Sequence, residues 1–185
     1  MKTPLKTVLA LAVSAVMGLM SPCTGLAADF VTQQHGVTVD VPEVLSISGD
    51  TTNFTLSFSG FVAANSESNT KTITYTVQSN NMRQIDGGTA INANLDALLP
   101  HSMDILADVG TYTKTSGNTE LAESASGFVK MVVANTAIAK KANTTVGSDG
   151  KILNGTIPIT YKAKANGEVP TGSYANQLFV TLTTI

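Results

Sequence analysis

The sequence predicts an all-β fold, an antiparallel β-sandwich carrying one or two short helices. Five stretches alternate apolar and polar residues with the period of a half-buried strand. They are rich in Thr and β-branched residues, which suit a pleated surface with one wet face. Turn dipeptides that tolerate positive φ, Asp149-Gly150 and Asn154-Gly155, punctuate the later part of the chain.

In chain order, VTVDV (37–41) aligns Val37, Val39 and Val41, and VLSIS continues the pattern after Pro42. Pro42 removes a backbone donor, so this is expected as an edge strand or one that kinks between sheets. FTLSF (54–58) places Phe54, Leu56 and Phe58 on one face, and TITYTV (72–77) buries Ile73, Tyr75 and Val77. Between them AANSESNT (63–70) reads as a polar loop. GTIPITY (155–161) aligns Ile157, Ile159 and Tyr161, with Pro158 suggesting an edge or a bulge. LFVTLT (178–183) is the fifth run.

The middle is less regular. DILADV (104–109) and FVKMVV (128–133) read as strands. In TAINANLDALL (89–99), Ile91, Leu95, Leu98 and Leu99 fall at helical spacing before Pro100, which predicts a short amphipathic helix. ANTAIAKKAN (134–143) reads as a second short helix or a loop.

Residues 1–28 read as a secretory leader. Lys2 and Lys6 precede an apolar run from Val8 to Met20, then small residues to Ala28. The run is short for a bilayer span. Pro22 before Cys23 argues against a lipoprotein acceptor, so the single cysteine is expected to leave with the leader. The exported chain would then hold no disulfide, although its compartment permits them. Residues 29–185 suit one domain. Without Lys2 and Lys6, 9 of the 11 bases face 13 acids, a net charge of −4. Such a balance offers nothing to nucleic acid or to an anionic membrane.

No chemistry-bearing motif stands out. His35 and His101 sit apart from any cysteine or carboxylate cluster, and both are expected as surface or loop residues. Gly87-Gly88 belongs to no phosphate-binding fingerprint. SDGK (148–151) lacks the spaced ligands of a calcium loop and reads as a turn. Most tyrosines lie in apolar strand patterns; Tyr112, in TYTKTSGNT, is the best placed for an outside contact. The reading is not an enzyme and names no cofactor and no metal.

The sharpest feature is the run with Leu178, Val180 and Leu182 on one face. An edge strand exposes unpaired N–H and C=O groups and must be covered, by its own chain or by a neighbour. Pro170-Thr-Gly172-Ser-Tyr174 followed by this run resembles the G-x-Y and closing strand of chaperone–usher pilins. It is similar too to the spore coat U family and to cysteine-free fimbrial subunits. The resemblance implies an immunoglobulin-like sandwich whose N-terminal arm enters the groove of the next subunit. On that reading residues 29–41 form the arm, with Val37, Val39 and Val41 as its plugs, and the groove is lined near Leu178, Val180 and Leu182. It implies like subunits, a periplasmic chaperone and an outer-membrane usher as partners. It places the protein in the periplasm, in a surface fibre or outside the cell, with no membrane insertion after leader removal. The alternative is a complete extracellular sandwich that binds a glycan or surface protein through loops 63–70 and 110–120.

Overall fold

A computed structural model describes residues 33–82, 89–142 and 152–183. The chain divides into two units, Met1–Val39 and Asp40–Ile185. In the first, the described residues 33–39 are exposed and carry no ladder. The second is all-β, and its described residues contain no helix.

Two antiparallel sheets make up this unit. The larger runs in the order β1 (Leu45–Gly49), β2 (Lys71–Ser79), β9 (Leu153–Ala165), β4 (Met103–Val109) and β7 (Val129–Lys130), with β5 (Thr113–Gly117) also paired to β9. The smaller runs β10 (Leu178–Leu182), β3 (Thr89–Leu95), β8 (Thr136–Lys141) and β6 (Leu121–Glu123). Ile73, Val77 and Ile157 from the first sheet join Ile91, Ala93 and Ile138 from the second in one buried cluster. Two sheets sharing a core are consistent with a β-sandwich.

β9 organises the larger sheet. Its side chains alternate without a break between buried and half-buried, from Leu153 to Ala165. One edge pairs with β2 from Leu153 to Tyr161 and with Ser66–Ser68 beyond it; the other is divided, with Thr113–Gly117 along its first part and Met103–Val109 along its last. Pro158 lies where that neighbour changes. It is therefore in a central strand, in unbroken register with β2, rather than at the edge or bulge its sequence suggested. Its carbonyl accepts from Gly110 N at 2.8 Å on the divided side. In an antiparallel ladder a residue's N–H and C=O point the same way. The missing N–H thus falls at the break, and the β2 ladder loses nothing. Gly110 is required there, since a Cβ would stand 2.9 Å from Pro158 Cγ.

Asn154-Gly155, expected as a turn, also lies inside β9. A Cβ on Gly155 would collide with Thr113 O and the Tyr112 hydroxyl, so close packing rather than turn geometry explains this glycine. The helix expected over 89–99 is strand β3 followed by a loop. Ala90, Ile91, Ala93 and Leu95 are buried in it; Leu98 is exposed. The ladder to β8 shifts register on either side of Ile91, which lets neighbouring Ala90 and Ile91 both be buried. The segment 134–143 likewise holds a strand, β8, instead of a helix. Of FVKMVV only Val129–Lys130 forms a strand, and FTLSF keeps alternating burial without a ladder. Gly87-Gly88, Asp149-Gly150 and SDGK fall outside the described residues.

Candidate strand-acceptor edges

β1 and β10 are edge strands of different sheets, and they approach within 8 Å at their Cα atoms. Among the described residues β1 pairs only with β2, from Leu45↔Ser79 to Gly49↔Tyr75, and β10 only with β3, from Leu178↔Leu95 to Leu182↔Ile91. Neither five-residue strand, LSISG or LFVTL, carries a charge. Each leaves one row of backbone donors and acceptors outside any ladder among the described residues.

The side chains at this seam are incompletely covered. Leu182 is buried, whereas Leu178 and Val180 are half-buried, all three on the face the alternation predicted. Ile47 of β1, and Phe54 and Leu56 from the extended segment after it, also pack on the core while keeping part of their surface in water. Phe54 stacks on Tyr161 of β9, with ring centroids 5.3 Å apart. Beneath it the hydroxyls of Tyr75 and Tyr161 meet at 3.0 Å, one donating to the other. Burial raises both phenols above their ordinary value, so they remain neutral donors and acceptors.

Val37, Val39 and Val41 are 82%, 78% and 76% exposed and belong to no ladder. The structure therefore groups the β10 residues with the core and leaves the three valines in water. Residues 42–44 are pinned. Asn80 Nδ2 donates to Pro42 O at 2.7 Å, Val44 N donates to Asn80 Oδ1 at 2.8 Å, and Asn81 Nδ2 donates to Glu43 Oε1 at 2.8 Å. The Asn80 clamp escaped the sequence reading, which placed Ile47 and Phe54 in strand patterns but not at this seam. The alternation of FTLSF marked Phe54 as inward-facing, but no local signal tied it to this seam.

Other positions singled out from sequence lie elsewhere. Tyr112 packs against the core rather than outward, and burial raises its phenol. It lines a cleft of about 480 Å³ with Lys114, Glu120 and Glu123, where Lys114 and Glu120 pair at 3.0 Å. Both expected contact loops carry regular pairing among their residues. Residues 113–117 form β5, and Glu67 bridges to Lys164. His35 is exposed before the first strand. His101, at positive φ, meets Tyr174 edge-on at 5.3 Å. Tyr174 is held in its loop by donating to Pro170 O. Among the described residues no three His, Cys, Asp or Glu converge as a metal site. No protein family, curated protein or solved structure matches the chain.

Proposed function

We propose that the protein is an exported structural subunit that assembles by β-strand addition, one copy lending residues 29–41 to the open edge of the next. One observation carries this reading: two uncharged, unblunted edge strands flank core side chains that remain part-wet, in a chain that also presents an unpaired run of alternating valines. A donated strand supplies the ladder that β10 lacks. Burying three valines is worth on the order of 5 kcal/mol before the entropy of ordering the arm is subtracted. Before assembly the same edge needs a temporary cover. A periplasmic chaperone, with an outer-membrane usher for hand-over, fits that need. The acidic net charge and the absence of a basic patch suit neither nucleic acid nor membrane as a partner.

The test is export of the full chain in a bacterial periplasm without helpers, read by size exclusion and by gel electrophoresis of unboiled samples. A ladder of detergent-resistant multimers is expected, and it should vanish on deletion of residues 29–41. A sharp monomer with one cooperative melt would overturn the proposal and favour a self-contained binding module.

A further inference from the structure

The outward face of the larger sheet carries a pattern that strand exchange does not use. On β2 the residues alternating with buried Ile73, Tyr75 and Val77 are Thr72, Thr74, Thr76 and Gln78. Register lines up their neighbours. Ser48, Thr76, Thr156 and Thr113 make one row across four strands. Ser46, Gln78, Asn154 and Ser116 make the next. Thr72 opposite Thr160 closes the block, with Thr74 opposite Pro158 between. The ladders from β1 to β2 and from β2 to β9 cross these rows without a bulge.

Every side chain in the block except Pro158 ends in a hydroxyl or an amide, and none is charged. The need for a solvated face does not explain this. A typical solvated surface is about a quarter to a third charged, and β9 itself turns to Lys162 and Lys164 past Thr160. Charges stand at the margins of the block, Asp50 past the end of β1 and Asp108 opposite Thr160. The block is also stiff. Thr is restricted at χ1. Thr72 Oγ1 and Thr160 Oγ1 meet at 2.8 Å, Gln78 Nε2 donates to Asn154 Oδ1 at 3.3 Å, and Asn154 Nδ2 donates to Ser116 Oγ at 2.8 Å. Side chains already held leave little entropy to lose on binding.

Such a face excludes most partners. An ionic ligand finds no counter-charge. No aromatic ring lies in the block, so a sugar ring has nothing to stack on. Three strand gaps of about 4.8 Å and three two-residue steps of about 6.7 Å span roughly 300 Å². A stable protein interface buries about 800 Å² per partner. What fits is a rigid, uncharged surface that repeats, donating and accepting hydrogen bonds throughout. Ice is such a surface. Tetrahedral water joined by hydrogen bonds of about 2.75 Å puts second neighbours about 4.5 Å apart and repeats along the perpendicular axis at about 7.3 Å. The block repeats at about 4.8 Å across its strands and about 6.7 Å along them, each within roughly a tenth of those spacings. Twist of about 20–25° per strand confines the match to β2, β9 and one neighbour at a time. We infer that this face adsorbs to ice, with Thr72, Thr74, Thr76, Thr156 and Thr160 presenting the hydroxyls and methyls on which water orders. It uses neither the arm nor an edge backbone group, so it holds with or without strand exchange.

Slow freezing tests this. The full chain, exported to a bacterial periplasm and purified, would be frozen slowly from dilute solution. Its concentration in the ice would be compared with that in the remaining liquid, and the size of annealed ice grains followed by microscopy. The chain should be enriched in ice relative to an inert protein of similar size, and the grains should stay small. Thr76→Lys, inside the block, should lose both effects, whereas Leu98→Lys, exposed and off the face, should lose neither. Thermal melts establish that the variants fold; if Thr76→Lys does not, Thr72→Lys at the end of the block takes its place. Exclusion of the unaltered chain from ice would overturn the inference whatever the variants do. Enrichment that survives in the folded lysine variant would overturn it too. So would retention on microcrystalline cellulose with no effect on ice, which would assign the face to a neutral polysaccharide.

Discussion

The two sides of the paired sheets differ in how their edges end. On one side the sheets finish in β7 and β6, of two and three residues, and in β5, of five residues, whose Lys114 pairs with Glu120. Lys130 of β7 pairs with Asp104 at 2.8 Å, and the ammonium of Lys162 lies 4.1 Å from the centre of the Phe128 ring while pairing with Glu67 at 2.8 Å. Short strands and charge are how β proteins stop their edges from recruiting other strands. On the other side β1 and β10 are uncharged and flanked by part-wet core residues. The contrast teaches that the same chain blunts one set of edges and leaves the other uncharged and open; on the proposed function, the open side is the receptive one. Receptivity is thus a local property, separate from overall composition or stability.

The strongest way to break this comparison is a charge on the receptive side. Val180→Asp should abolish the multimer ladder on unboiled gels, whereas Val129→Asp on the blunted side should leave it intact. Equal loss from both would erase the distinction. Next comes Phe54, whose ring covers Tyr161 from the receptive side. Phe54→Ala should lower unfolding stability by about 2 kcal/mol, less than the ~3–5 typical of a fully buried ring, because Phe54 is only half-buried. Chemical denaturation of the isolated monomer measures this.

Asn80→Ala removes the two side-chain hydrogen bonds of Asn80 to Pro42 and Val44, at about 1 kcal/mol each, and leaves that of Asn81 to Glu43. Amides of β1 should then exchange faster with deuterium, while those of β4 keep their protection. The smallest effect belongs to the blunted side. Burial alone would raise the Asp104 carboxyl, but hydrogen bonds from Lys130 and Asn166, with the charge of Lys164 nearby, outweigh it and hold the group below its ordinary value. A depressed carboxylate stabilises above its unfolded pKa, about 3.9, and that contribution disappears as pH falls through the folded value. Protection of Met131, whose N–H donates to Ile105 O, should therefore weaken in acid. Asp104→Asn should remove that dependence, at a loss near neutral pH of under about 1 kcal/mol.

The strands legible in the sequence were those whose buried residues are large. Ile73, Tyr75 and Val77 declare the period of β2, and Ile157, Ile159 and Tyr161 that of β9. β3 hides its period because Ala93 fills the place between Ile91 and Leu95, and an alanine weighs little in any apolar pattern. Leu98 and Leu99, in the loop beyond, then complete a false helical spacing. β8 is obscured similarly, with Ile138 and Ala139 both buried and Lys141 buried at its end. The Pro158 and Gly155 misreadings share one cause. Each residue answers to a neighbouring strand some forty positions away, and no local rule sees that far. At the candidate site, Leu178, Val180 and Leu182 were readable as one face, but their proximity to β1 is a matter of topology.

The long central strand has a consequence for how the molecule is made. β9 pairs with β2 across a wide interval, Lys71 with Tyr161 and Ser79 with Leu153, and with β4 from Met103↔Ala165 onward. Such distant contacts require large loops to close before any pairing is rewarded, which slows folding. During synthesis, β2 and β4 must wait for residues 153–165 before either gains its main neighbour. For that interval the nascent larger sheet exists only as separated pieces, and its apolar strands are exposed to every other chain in the compartment.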